Sequence, residues 1–164
     1  MRYARAVQVF LIRHAEAVPE TAALADPLRH LTAGGRAQAT AIGDRLRWHD
    51  CTPTQIWASP LVRAIQTAEL LAAGVESTLP IEALPALAPD GDPRAMTAAL
   101  DALASDAIVM LVGHGPCLTR IGALLTGREL AYLRRAEAVR IVDGVERWRF
   151  AWDGDAPVIS ARDT

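Results

Sequence analysis

Four side chains in this sequence have the types and positions to hold and transfer a phosphoryl group: Arg13, His14, Arg63 and His114. A guanidinium is planar, stays charged and offers a fork of donors, so a pair of them is a natural clamp for phosphoryl oxygens. A neutral imidazole can attack phosphorus through a ring nitrogen and carry the group covalently. A second imidazole can hydrogen-bond the oxygens and stabilise the group in transfer. Backbone N–H groups at the start of a helix after His114 would add anion donors. Taken singly, each member has an ordinary explanation: Arg13-His14 as a polar strand end, Arg63 as an exposed helix residue, Gly113-His114-Gly115 as a turn with an incidental histidine. The combination is more specific than its parts. His30 has no such context, and His49 reads as a surface residue near a helix end. No histidine has a His or Cys partner at zinc-ligand spacing, so no metal site and no cofactor are expected.

The elements that must bring these residues together can be read from pattern. Residues 7–12 are β-branched, aromatic and apolar almost throughout, as in a strand buried on both faces. A polar loop follows over 16–31. Thr32 can cap a helix reaching Trp48, with Gly34, Gly35 and Gly43 weakening it. A short strand is expected over 55–59. Ser59-Pro60 then reads as N-cap and first residue of a helix ending near Gly74. The Pro-rich stretch 79–93 reads as irregular, with a short strand near Ile81 and Glu82, and a helix is predicted over 93–104. Residues 107–113 give the strongest strand signal. Pro116 opens a helix to Thr126, closed by Gly127. Residues 138–142 and 145–152, joined by Asp143-Gly144, read as a β-hairpin.

Strands alternating with helices predict an α/β fold: three layers, α/β/α, with a mostly parallel central sheet and an antiparallel hairpin at one edge. Ligands of such sheets bind at the carboxyl ends of the strands. Arg13-His14, Ser59 with Arg63, and His114 all follow strands, so three distant segments converge on one edge.

Composition narrows the options. With 164 residues, the chain is expected to form a single domain over 1–164. The hydrophobic fraction of 51% excludes wholesale disorder, and a net charge of −2 argues against a general nucleic-acid binder. All 17 cations are arginine, which excludes chemistry that needs a lysine. Cys51 and Cys117 lack CxxC spacing. The early Arg2 and Arg5 before an apolar run imitate a secretion signal, but Arg13-His14 interrupts the run. No stretch approaches the roughly 20 apolar residues of a membrane span. A cytoplasmic protein is expected.

These motifs carry a resemblance. Leu11-Ile12-Arg13-His14-Ala15 resembles the Arg-His-Gly signature of the histidine phosphatase superfamily, which has the phosphoglycerate-mutase-like fold. Ser59-Pro60-Leu61-Val62-Arg63-Ala64-Ile65-Gln66-Thr67-Ala68 resembles the second signature, Ser-Pro-x-x-Arg-Ala-x-x-Thr-Ala, and Val112-Gly113-His114 the third. Asp26-Pro27-Leu28-Arg29-His30-Leu31-Thr32 and Leu84-Pro85-Ala86-Leu87-Ala88-Pro89-Asp90-Gly91-Asp92 are similar to segments of its short, SixA-type phosphohistidine phosphatase branch.

The resemblance implies that His14 accepts the phosphoryl group, that water then hydrolyses the phosphohistidine, and that Arg13, Arg63 and His114 form the phosphate pocket. Arg29 is implied as a further phosphate or substrate contact. Ala15 replaces the signature's Gly, and Ala86 replaces a Glu in the region where larger members carry a proton donor. Glu16, Asp90 and Asp92 are the nearby candidates for a general acid.

The reading is therefore a metal-independent phosphatase, its partner a phosphohistidine-containing protein such as a phosphorelay domain. A phosphomonoesterase for a small phosphorylated metabolite is the alternative, and a non-catalytic phosphate- or phosphoprotein-binding module the option from another class. No nucleic acid or membrane partner is expected.

Overall fold

Two hexapeptides with apolar interiors, Gln8–Arg13 (β1) and Ile108–Gly113 (β4), lie side by side in the middle of the sheet. Both are buried on both faces, which accounts for runs without polar alternation. The computed structural model describes residues 7–152 and 156–161; the early Arg2 and Arg5 lie outside them. Between β1 and β4 come α1 (Ala33–Trp48), β2 (Gln55–Ala58), α2 (Val62–Gly74), β3 (Ile81–Ala83) and α3 (Pro93–Asp101). After β4 come α4 (Gly115–Thr126), β5 (Ala138–Val142), β6 (Val145–Trp152) and β7 (Pro157–Ala161). The strand order is β3-β2-β4-β1-β5-β6-β7. The first four strands in that order pair in parallel, and β5 to β7 add an antiparallel edge against β1.

Strand periodicity divides the core into two layers. Phe10, Ile12, Met110 and Val112 pack with Ala39, Ile42 and Leu46 of α1 and Leu71 of α2. Val9, Leu11, Val109 and Leu111 pack with Met96 and Leu100 of α3 and Leu118 and Ile121 of α4. The result is the expected α/β/α arrangement. Among the described residues no helix is long and apolar enough to cross a membrane.

The glycines that weaken α1 in isolation are required by its packing. A Cβ on Gly35 would stand 2.0 Å from Glu16 O, and one on Gly43 would press on Leu70, Leu71 and Gly74 of α2 at 3.2–3.3 Å. Thr32 caps α1 by accepting from the Gly35 N–H.

The structure corrects several expectations. Ser59-Pro60 does not open α2: the helix begins at Val62 and its N-cap, Leu61, makes no side-chain capping bond. Ser59 Oγ is engaged elsewhere, as described below. α3 stops at Asp101 rather than 104. His49 is half-buried at the C-cap of α1, its ring 5.6 Å from Trp148 and 4.9 Å from Phe150. The hairpin continues into a third antiparallel strand, β7, that pattern did not reveal.

A buried ion network ties the edge hairpin to the end of β1. Arg149 on β6 donates to Glu146 Oε1 at 3.0 Å and to Glu137 Oε1 at 2.8 Å. Its third donation, from Nη2, goes to Ala131 O at 3.2 Å. The second Glu137 oxygen accepts from the Arg134 N–H at 2.6 Å, and Glu137 O accepts from the Arg13 N–H at 3.0 Å. Glu137, Glu146 and Arg149 are all buried. Removing one partner of such a pair leaves an uncompensated charge in a medium that solvates it poorly. Arg149→Ala is therefore expected to lower the unfolding free energy by about 3–5 kcal/mol. Arg134→Ala removes a side chain that is 71% exposed and 3.8 Å from Glu137, and should change it by less than about 0.5 kcal/mol. Urea denaturation of the two variants checks this, and a mild effect of Arg149→Ala would show that the network does not hold the loop.

Candidate active site

Strand register sets the site. β1 and β4 pair in parallel with Arg13 opposite Gly113, and the His14 N–H donates to Gly113 O at 2.9 Å. His14 and His114 therefore leave adjacent strands at the same level, and their rings stand 5.2 Å apart, centroid to centroid. The neighbouring strand β2 is held at its end by the Ser59 N–H donating to Val112 O. Arg63 lies in the first turn of α2. Thr67, one turn on, accepts from the Ala15 N–H at 3.2 Å and donates to Arg63 O at 2.7 Å, joining α2 to the segment after β1.

Each ring is fixed at one nitrogen. His14 Nδ1 is 2.7 Å from Ala15 O, a carbonyl that can only accept, so Nδ1 carries the proton and Nε2 keeps its lone pair. His114 Nε2 is 2.8 Å from Ser59 Oγ. That hydroxyl also accepts from the Leu61 N–H at 3.3 Å, so Ser59 holds the His114 ring in place at one nitrogen and leaves Nδ1 on the other side of it. Burial pushes the His14 pKa down to about 3, helped by the charges of His114, Arg63 and Arg13. Burial likewise lowers His114 to about 4, with Arg63 the strongest of the cations acting on it. Both rings are neutral near pH 7.

The two arginines are held by protein carbonyls on one side. Arg13 donates from Nη1 to Leu133 O at 3.0 Å, and its guanidinium lies over the Tyr132 ring at 5.3 Å. Arg63 donates from Nη1 to Asp26 O at 2.9 Å and meets Asp26 Oδ2 at 3.3 Å through Nη2. The Nε of each is buried without a hydrogen-bond partner; Arg140, remote from this cluster and lying over Phe10, provides the third such atom among the described residues. Buried donors left unpaired are costly, and a pair of guanidinium groups is a natural clamp for an oxyanion.

The remaining candidates are placed as follows. Arg29 joins the cluster through Asp26, donating to Asp26 Oδ1 at 2.9 Å and to Val18 O at 2.7 Å. Glu16 accepts from Thr32 Oγ1 at 2.8 Å and lines a cavity beside Arg13. Asp92 caps α3 by accepting from the Arg94 N–H. Asp92 and Asp90 lie near Cys117, whose thiol is pushed up chiefly by burial and further by their charges. No hydrogen bond brings Asp90 or Asp92 to the histidines. Among the described residues, no three His, Cys, Asp or Glu side chains gather to hold a metal ion.

Sequence reasoning gave no role to Asp26, whose carboxylate bridges Arg29 and Arg63. The hydrogen bond from Arg29 holds it below the ordinary carboxylate range, with Arg63 acting in the same direction. The spacing Asp26-x-x-Arg29 was the available signal, since residues three apart in a turn can pair. The tie from Ser59 to His114 could not be read locally, because the two are 55 residues apart.

Residues 9–88 match the model of the histidine phosphatase superfamily (branch 1). The chain is 28% identical over 138 residues to the phosphohistidine phosphatase SixA of Escherichia coli (strain K12), covering 83% of this chain and 84% of that protein. It is 35% identical over 114 residues to an uncharacterized protein of Picosynechococcus sp., covering 68% of each. The solved structure of the protein histidine phosphatase SixA complexed with tungstate superimposes with a TM-score of 0.77 at 28% identity, covering 87% of this chain and 95% of that one. By its motifs, its sheet and these likenesses, the chain belongs to the histidine phosphatase superfamily.

Proposed function

We propose that the protein is a metal-independent phosphatase working through a phosphohistidine on His14, and that its substrate is a phosphohistidine carried by another protein, such as a phosphorelay domain. The observation that carries the reading is a neutral His14 with a free Nε2 beside two arginines whose buried Nε donors lack partners. The likeness to SixA supports it, as does the tungstate in the SixA structure, an oxyanion of phosphate's shape.

In the first step Nε2 of His14 bonds to phosphorus as the N–P bond of the substrate breaks. The ring nitrogen of phosphohistidine that does not carry phosphorus can be protonated beforehand, so the substrate imidazole leaves as a neutral ring. His14 becomes a phosphorylated imidazolium whose Nδ1–H still donates to Ala15 O. In the second step water bonds to phosphorus, Nε2 departs with its electron pair, and both water protons leave with the phosphate. Arg13 and Arg63 hold the oxygens throughout, and the His114 ring hydrogen-bonds them.

Transfer from one imidazole to another is nearly symmetric and needs no proton donor. An alkoxide leaving group would need one. Asp26, the carboxylate paired with Arg63 and Arg29, is held ionised and cannot donate a proton near pH 7. Among the described residues, no hydrogen bond or ion pair joins Glu16, Asp90 or Asp92 to the histidines. This favours phosphohistidine over a phosphate ester, and the positive charge of the arginines serves in place of a metal.

Phosphate release from a phosphorylated histidine phosphotransfer domain, run beside a panel of phosphorylated metabolites, is the direct test. The phosphodomain should be dephosphorylated and His14→Ala should be inactive; equal rates for the two proteins would refute the mechanism. Strong turnover of one metabolite with none of the phosphodomain would move the assignment to a small-molecule phosphomonoesterase. A non-catalytic binding module would bind the phosphodomain and release nothing. Activity should survive dialysis against EDTA, and its loss with recovery on adding a divalent ion would refute metal independence.

Because His14 must be neutral to attack, kcat/KM divided by the fraction of substrate that is protonated is expected to stay level from pH 8 to about 5 and to fall as pH drops through about 4 and 3. Both pKa values lie below the ordinary 6.5, so the unfolded chain binds more protons below that pH. The stability contributed by the neutral rings is thus complete above 6.5 and declines as pH falls toward the folded values. Urea midpoints at pH 7 and 5 should show the decrease; an acid limb centred near 6.5 would contradict the lowered values.

A further inference from the structure

Beside the phosphoryl pocket is a second cavity of about 460 Å³, lined by Arg13, Glu16, Gln38, Arg134, Arg135 and Trp152. Arg13 belongs to both. Besides its burial, the charges of Arg135 and Arg63 act on it together, while Tyr132 and Glu137 oppose them.

Three arginines and one carboxylate, Glu16, line the cavity, so its charge is net positive. Glu137, the carboxylate nearest Arg134, is 3.8 Å from it and accepts a hydrogen bond from Arg149. Glu16 accepts from Thr32 Oγ1. Arg135 is exposed and makes no side-chain hydrogen bond or ion pair among the described residues. Gln38 uses Oε1 to accept from the Glu16 N–H at 3.4 Å, which leaves its amide NH2 as the end it can offer a ligand. Trp152 supplies an apolar wall on one side of the cavity. The forked donors of three guanidinium groups around one space match a carboxylate.

We propose that this cavity is a second anion subsite, which receives a carboxylate that the substrate carries next to its phosphoryl group. Taken with the function proposed above, on which this choice of carrier rests, the carboxylate is an Asp or Glu side chain beside the phosphohistidine of a protein substrate. The sharing of Arg13 makes the two sites contiguous, so one ligand can occupy both.

The test uses two substrate pairs that differ by one carboxylate: phosphohistidine peptides with Glu or Gln beside the phosphorylated residue, and carboxyphenyl phosphate against phenyl phosphate. The ratio of kcat/KM within each pair is compared between the wild-type protein and Arg135→Gln, with Arg134→Gln as a second variant. The comparison across proteins cancels differences in leaving group. In the wild type the carboxylate member should be favoured about tenfold, relative to the ratio in Arg135→Gln. The change should lie in KM, and it should shrink with added salt. A ratio that is the same in all three proteins would overturn the subsite, even if the phosphohistidine peptides are hydrolysed. Should only the aryl phosphates react, the function proposed above fails, and the subsite then stands or falls on the aryl pair by the same ratio.

Discussion

The parallel pairing of β1 with β4 is the constraint on which the site depends. Side chains alternate faces along a strand, so a slip of one residue would exchange the two core layers and carry His14 away from His114. In a sheet with one solvated face, such a slip costs one layer of packing. Here both faces are covered: Phe10 and Ile12 pack toward α1 and α2, and Val9 and Leu11 toward α3 and α4. The register is therefore specified twice. The His14 N–H donating to Gly113 O extends the ladder one residue beyond β1, into the segment that carries the candidate nucleophile. Two histidines a hundred residues apart in sequence are thus held with their rings 5.2 Å apart.

Gathering cations in a buried pocket works against stability, and the protein offsets this with groups placed behind the cations. Arg13 has Leu133 O, the Tyr132 ring, and Glu137 O on its backbone. Arg63 has the backbone and side-chain oxygens of Asp26. Burial and neighbouring positive charge are also what keep the histidines neutral, and a neutral imidazole is the form that attacks phosphorus. One arrangement thus accounts for a penalty in folding and for the proposed nucleophile. The buried Arg149 network serves the same end from a distance, since Glu137 is joined to Arg13 by its carbonyl and to Arg149 by its carboxylate.

Much of this was legible in the sequence because the signals are local. The apolar runs of β1 and β4, the Thr32 cap and the Asp143-Gly144 turn each lie within a few residues. The turn appears with both residues at positive φ, 53° and 68°. The residues that had to be seen in three dimensions are those whose partners come from other elements. Ser59-Pro60 has the local form of a helix start, yet Ser59 turns to His114, because a buried imidazole nitrogen needs a partner more than an exposed helix end does. Glu137 follows two arginines and looks like part of a solvated stretch until Arg149 arrives from β6. The Pro157–Ala161 strand escaped notice because an edge strand, with three of its residues exposed, carries little apolar pattern.

The absence of lysine also takes on physical content at two positions. At most of the 17 cationic positions nothing distinguishes arginine from lysine. Arg13 is different. One nitrogen donates to Leu133 O, the planar face lies on Tyr132, and Nε is left for another acceptor. An ammonium could replace one of these functions but not all three, since it has neither a flat face nor donors spread along a fork. Arg63 makes a similar division between Asp26 and an unpartnered Nε. With one edge of each guanidinium fixed to the protein, the free donors have fixed directions. An oxyanion arriving between them would meet a charge distribution that is already organised, which is what the proposed phosphoryl transfer requires of side chains.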